Sequence, residues 1–197
     1  MPRKTVIFKK DIIRAAVELV RSDGYESLNA RAIAKALGCS TQPIFSNFSS
    51  MDDLMKSVLE ATLDVYNDFV RREFERESGY PPYKTNGMAY IRFAIEEKNL
   101  FRLLFMRDRT NEPDPVEKST FTDVLPLIMK ATGLSEDQAA MFHLEMWTCV
   151  HGIAVMAATS YYKWDEELAS RAMTDTYQGL IRRFKEQNSE ANDEERH

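Results

Sequence analysis

The sequence has little cysteine and little histidine, and both shortages exclude classes of protein. Its two cysteines, Cys39 and Cys149, lie far apart among apolar neighbours, so they suggest neither a disulfide scaffold nor a metal-ligand pair. Of the three histidines, neither His143 nor His151 has a glutamate at the Glu-x-x-His spacing of dimetal sites. No nucleophile with a nearby base takes their place. We therefore expect no metal, no cofactor and no enzyme activity.

Long uncharged apolar runs are also absent. The N-terminal stretch "MPRKTVIFKKDII" interrupts its apolar run with Lys9, Lys10 and Asp11, which argues against a signal peptide. No other segment is long and uncharged enough to span a bilayer. We expect a cytoplasmic protein with no membrane partner.

The net charge is small, but the charges are unevenly distributed along the chain. The whole chain carries a net charge of −5, whereas residues 1–56 contain nine Lys/Arg and six Asp/Glu. A basic end on an acidic body favours contact between that end and an anionic polymer. Ordinary solvated surface charge is the alternative.

Apolar residues make up 44% of the 197 residues, enough for a substantial core, and they recur at helical spacing along most of the chain. The pattern predicts an all-α protein. Its expected helices span residues 9–22, 30–37, 40–48, 51–77, 88–106 (one or two helices) and 121–132, and two more begin near Ser135 and Asp165. We predict a three-helix domain at 1–50, a helical bundle at 51–188, and a polar, frayed tail at 189–197.

The stretch "GCSTQPIFSNF", residues 38–48, interrupts the helical pattern near the N-terminus. Gly38 ends one short helix, and Ser40 is a candidate N-cap for the next, which places Pro43 in a first turn where its missing N–H is tolerated. Two short helices joined by such a turn are typical of the helix-turn-helix motif, whose second helix enters the DNA major groove. Small polar side chains lie where base edges would be.

The region from Ser27 to Met55 resembles the DNA-binding region of the tetracycline-repressor (TetR) family. The residues that match the family's pattern are Ile33, Ala34, Gly38, Ser40, Phe45, Phe48 and Leu54. The rest of the chain resembles the family's regulatory domain only in length and helix order, apart from "WTCVHG" (Trp147–Gly152), which is similar to the Trp-x3-His-Gly signature of one subgroup. The resemblance implies a transcriptional regulator, more often a repressor, that binds a palindromic operator as a homodimer and is released by a small molecule.

The resemblance also implies roles in DNA binding. We expect Thr41, Gln42 and Asn47 to contact base edges, because Gln and Asn can bond adenine and Thr can offer a methyl group to thymine. The family often has a tyrosine at Phe45 and a lysine at Met51, and both commonly contact phosphates. Phe45 and Phe48 are expected to pack inside the small domain, and Phe45 is also a candidate DNA contact at the position of the family's tyrosine. The residues that would supply or support backbone contacts are Arg3, Lys4, Lys9 or Lys10, Lys35, Ser40 and Lys56.

The predicted effector site and dimer interface both lie in the second domain. Polarizable and aromatic side chains could line a pocket for an apolar effector, with plain core packing as the alternative for each. The candidates are Phe105, Met129, Met146, Trp147 and His151. The apolar stripes of the last two helices predict a four-helix homodimer interface. Its candidate residues are Ile153, Ala157, Met173, Tyr177, Leu180, Ile181 and Phe184. A helical protein-interaction module that does not bind DNA is the alternative function.

Overall fold

The computed structural model describes residues 7–76, 79–110 and 120–194, and every regular element in these ranges is helical. The α-helices are α1 (Lys9–Asp23), α2 (Ala30–Ala36), α3 (Gln42–Asn47), α4 (Met51–Glu75), α5 (Pro82–Glu96), α6 (Lys98–Phe105), α7 (Thr120–Thr132), α8 (Glu136–Ala158) and α9 (Glu166–Glu194). A short 3₁₀ turn, Tyr25–Ser27, joins α1 to α2. The all-α prediction is confirmed. None of the described helices is long and apolar enough to cross a membrane.

Two predicted helix starts have the expected caps. The Ser50 Oγ accepts a hydrogen bond of 3.1 Å from the Asp53 N–H, which begins α4. Ser135 and Gln138 form a reciprocal capping box at the start of α8. The segment 88–106 is two helices, α5 and α6, which meet at Glu97, and α5 begins earlier than expected, at Pro82.

Apolar side chains of α1 to α4 form the core of the N-terminal domain. Its buried residues include Ile12, Ala16, Val20, Ile33, Ile44, Phe48, Leu54 and Val58. α4 is about 37 Å long at 1.5 Å per residue, so the helix that contributes to this core also extends into the second domain. The two domains therefore share a continuous rigid element.

Ion pairs join three helices of the second domain. Glu73 of α4 is 7% exposed, and its carboxylate is paired with Arg76 and with Arg92 of α5. Arg92 also pairs with Glu166 at the start of α9. Because a buried carboxylate left without its partner would be strongly destabilising, these contacts fix α4, α5 and α9 relative to one another.

The C-terminal segment differs from the sequence-based expectation. α9 continues to Glu194, through most of the segment 189–197 that was expected to be a frayed tail. Just before this segment, the Gln138 amide of α8 donates to the Asn188 side-chain oxygen over 2.5 Å, which holds α9 against its own chain.

Candidate nucleic-acid interface and regulatory core

The turn between α2 and α3 follows from glycine and backbone capping. Gly38 has a φ of +64°, a left-handed conformation that glycine adopts without strain, and the Cys39 N–H donates to the Ala34 carbonyl over 2.9 Å. The predicted Ser40 cap is wrong. Thr41 is the N-cap, and its backbone lies in the helical region (φ −73°, ψ −13°), where its side chain makes no capping bond.

The exposed side of α3 is formed by Gln42, Phe45 and Ser46, while Ile44 and Phe48 are buried in the domain core. The packing prediction therefore holds for Phe48 and is wrong for Phe45, whose side chain is 55% exposed. Because α3 has fewer than two turns, only the side chains that point toward α1, α2 and α4 are buried.

The other predicted DNA contacts differ in how freely they project. Ser40, Lys35 and Lys56 are exposed and Thr41 is half-buried. The Asn47 amide is half-buried and donates to the Pro43 carbonyl over 2.8 Å, so it does not project freely as Gln42 does. Arg3 and Lys4 lie outside the described residues.

Cations lie close to the point where α3 leads into α4. The Lys9 ammonium is 4.8 Å from the centre of the Phe48 ring. Hydrogen bonds from the backbone and side chain of Ser49 hold the pKa of Asp53 below its usual value, and the nearby charges of Lys9 and Lys56 lower it further. Asp53 therefore stays ionised, and the charges of Lys9 and Lys56 beside it offset part of its repulsion of a phosphate.

The regulatory domain contains an aromatic cluster centred on Tyr90 of α5. The Tyr90 hydroxyl and His151 Nδ1 are 2.9 Å apart, and the Trp147 ring stacks on the His151 ring with centroids 5.9 Å apart. The other rings that contact Tyr90 are Tyr66, Phe101 and Phe105. Burial lowers the pKa of His151 and raises that of Tyr90, so both groups are neutral at pH 7.

A second tyrosine–histidine pair repeats this arrangement along the same two helices. The Tyr83 hydroxyl is 2.9 Å from His143 Nδ1, and burial lowers the pKa of this histidine also. Sequence reasoning missed both tyrosines. The available signal was spacing, because Tyr83 and Tyr90 on α5, like His143 and His151 on α8, are each separated by about two helical turns.

A small cavity of about 30 Å³ lies between α5, α8 and α9. Its lining residues are Tyr83, Asn86, Gly87, His143, Met146, Trp147, Val150 and Met173. Of the five predicted effector contacts, Met146 and Trp147 line it. Phe105 and His151 pack around Tyr90, and Met129 packs in a second core cluster with Phe142 and Phe184. The structure therefore places the predicted effector contacts in two neighbouring clusters, one around Tyr90 and one around Phe142.

The predicted dimer residues lie mostly inside the chain. Ile153, Ala157, Met173 and Phe184 are at most 6% exposed, because the stripes of α8 and α9 pack against other helices of the same chain. The other three, Tyr177, Leu180 and Ile181, are half-buried against the second core cluster. In the described part of α8, the large apolar side chains exposed to solvent are Met141 and Leu144.

Polar contacts join the N-terminal domain to the junction of α5 and α6. The Arg21 guanidinium of α1 bonds the Glu97 carboxylate at 2.9 Å, and the Asn99 amide donates to the Arg21 carbonyl at 3.0 Å. Asn99 lies in the first turn of α6, and Glu97 is the residue between α5 and α6. A shift of α6 would therefore act directly on α1.

Comparison with known proteins gives matches to both domains. Residues 12–58 match the family described as "Bacterial regulatory proteins, tetR family", and residues 84–177 match "Tetracyclin repressor-like, C-terminal domain". A Mycobacterium tuberculosis (strain H37Rv) protein described as an uncharacterized HTH-type transcriptional regulator is 22% identical over 160 residues, which cover 80% of this chain and 73% of that protein. The chain belongs to the TetR family and is a transcriptional regulator with a DNA-binding domain.

Proposed function

We propose that this TetR-family regulator binds a palindromic operator as a homodimer in the cytoplasm and represses transcription until a small, largely apolar molecule enters its second domain. The observation that carries the proposal is the contact of Arg21 in α1 with Glu97 and Asn99. Glu97 directly follows α5 and Asn99 lies in the first turn of α6, and α5 also lines the cavity. One helix thus connects the effector site to the DNA-binding domain.

Effector binding requires the cavity to enlarge, because about 30 Å³ holds little more than one water molecule. Met173 is the side chain best suited to move, since an unbranched thioether readily changes its shape. Trp147 and Val150 offer apolar contact, while the Tyr83–His143 pair offers a neutral polar contact. We expect an uncharged effector that displaces Met173 and separates α5 from α8.

Such a ligand releases DNA only if it binds better to a conformation that fits the operator poorly. Separation of α5 from α8 would move α6, and the Arg21–Glu97 contact would transmit that movement to α1. The two α3 helices of a dimer would then no longer match the half-site spacing.

We place the homodimer interface on the outer faces of α8 and α9. Met141 and Leu144 are exposed on α8, and Gly152 follows them along the same face. A side-chain carbon at Gly152, or at Gly179 of α9, would meet nothing within 4 Å in the single chain. Glycine within a helix costs about 0.5–1 kcal/mol relative to alanine. Because nothing in the single chain occupies the space beside these two glycines, we infer that they allow another chain to approach closely.

Selection of duplexes from a random library with the purified protein tests the operator proposal, and a reporter placed behind the selected sequence tests repression. We expect an inverted repeat, and lower reporter expression when the protein is present. A selected sequence without two-fold symmetry, or raised expression, would contradict the proposal. The Glu97→Gln variant should retain operator affinity and lose most of its response to an effector.

A further inference from the structure

Phe45 is the large apolar side chain on the exposed side of α3. It is 55% exposed, whereas the neighbouring apolar residues Ile44 and Phe48 are at most 2% exposed. Single exposed apolar side chains are common on protein surfaces, but Phe45 lies on the α3 surface proposed to face the bases, where bound DNA would cover it. The ring of Phe45 has no hydroxyl, so it cannot donate the phosphate bond that a tyrosine would make there.

The polar groups beside Phe45 are partly engaged within α3 itself. The Ser46 hydroxyl donates to the Gln42 carbonyl over 2.9 Å, and the Asn47 amide is held against the Pro43 carbonyl. Gln42 therefore remains as the freely projecting hydrogen-bonding side chain of α3, with Phe45 beside it. α3 contains no charged residue, so the phosphate attraction must come from lysines on other helices, such as Lys9 and Lys56.

We propose that Phe45 is a specificity-determining residue that recognises the 5-methyl group of a thymine in each operator half-site. The inference rests on the proposed operator binding. The thymine methyl is the apolar group that base edges present in the major groove, and a phenyl ring gains nothing from the hydrogen-bonding groups around it. An exposed phenylalanine on a reading helix thus selects thymine over the other bases.

The position of Phe45 relative to Gln42 also predicts where that thymine lies. The two residues are three positions apart on one face of α3, which separates them by about 4.5 Å along the helix axis. Successive base pairs are about 3.4 Å apart. If Gln42 bonds an adenine, the methyl group recognised by Phe45 belongs to a base pair one or two steps away.

The test replaces thymine by deoxyuridine, which removes the methyl group and keeps every hydrogen-bonding group. Each thymine of the selected operator is replaced in turn, symmetrically in both half-sites, and the full-length protein is titrated with each duplex. We expect one thymine position, close to the Gln42 contact, at which the replacement weakens binding about fourfold per half-site. This is the factor expected for about 0.8 kcal/mol of buried methyl surface.

Variants assign that effect to Phe45. Phe45→Ala should bind the thymine and uracil operators equally, and Phe45→Leu should retain part of the preference. Tyr25→Ala is the control. It removes an exposed aromatic residue just after the C-terminal end of α1, outside α3, and should keep the full preference. Operator binding that no uracil replacement weakens, or a thymine preference that persists in Phe45→Ala, would overturn the inference and leave the proposed function standing. Failure to select any duplex would overturn both.

Discussion

The contact between Gly87 and Met173 gives a sharp test of how the proposed effector site is packed. A side-chain carbon added at Gly87 would clash with Met173 Cε and lie 3.3 Å from Val150 Cγ2. Alanine in a helix interior is favoured over glycine by about 1 kcal/mol, whereas overpacking costs about 1–3 kcal/mol. The flexible end of Met173 places the cost near the lower limit. We expect Gly87→Ala to change stability by about 0 to −2 kcal/mol.

The same substitution should stabilise the protein when Met173 is shortened. In a Met173→Ala background the clash is absent, so Gly87→Ala should stabilise the protein by about 0.5–1 kcal/mol. The helix-propensity gain is common to both backgrounds, so the coupling free energy of the double-mutant cycle equals the overpacking cost, about 1–3 kcal/mol. Urea unfolding followed by circular dichroism measures all four variants. Met173→Leu is the matched control, because it has no atom equivalent to Cε and should relieve the clash while leaving a smaller cavity than Met173→Ala. Equal effects of Gly87→Ala in both backgrounds would show that Met173 does not fill this space.

Two further predictions concern assembly and pH. Leu144→Glu should convert the dimer to a monomer in light scattering at micromolar concentration, because it places a charge on the proposed apolar interface; a dimer that persists would move the interface elsewhere. Burial lowers the pKa of His143 and His151 below the usual 6.5, so the unfolded chain binds protons first as the pH falls. The free energy of unfolding should therefore decrease as the pH drops below about 6.5, and an equal decrease in a His143→Gln/His151→Gln variant would contradict this assignment.

The helices could largely be predicted because their signals are local. The Ser50 cap, the Ser135–Gln138 capping box and the glycine at position 38 each act within a few residues, and all are present as expected. Thr41 shows where such signals fail, since its helical backbone conformation leaves a good capping side chain unused.

Residues whose role depends on distant contacts could not be placed from the sequence. Phe45 is exposed because α3 is too short to bury it, although a large aromatic residue at this position was expected to pack inside the small domain. The apolar stripe of α9 is buried by its own chain, as Met173 and Phe184 show, so its length did not indicate a free interface. Pairing of Tyr83 with His143 joins residues 60 positions apart. Helical periodicity alone does not reveal which partner covers a face.

In the proposed recognition of DNA, α3 reads specific bases while lysines elsewhere attract any duplex. Titration of the selected operator and of a scrambled duplex, with wild type and with Gln42→Ala at several salt concentrations, separates these two contributions. Removal of a base contact should weaken operator binding by about 1–3 kcal/mol and leave the scrambled duplex and the salt dependence nearly unchanged. An equal loss on both duplexes would contradict the claim, because Gln42 would then contribute to general attraction rather than to reading.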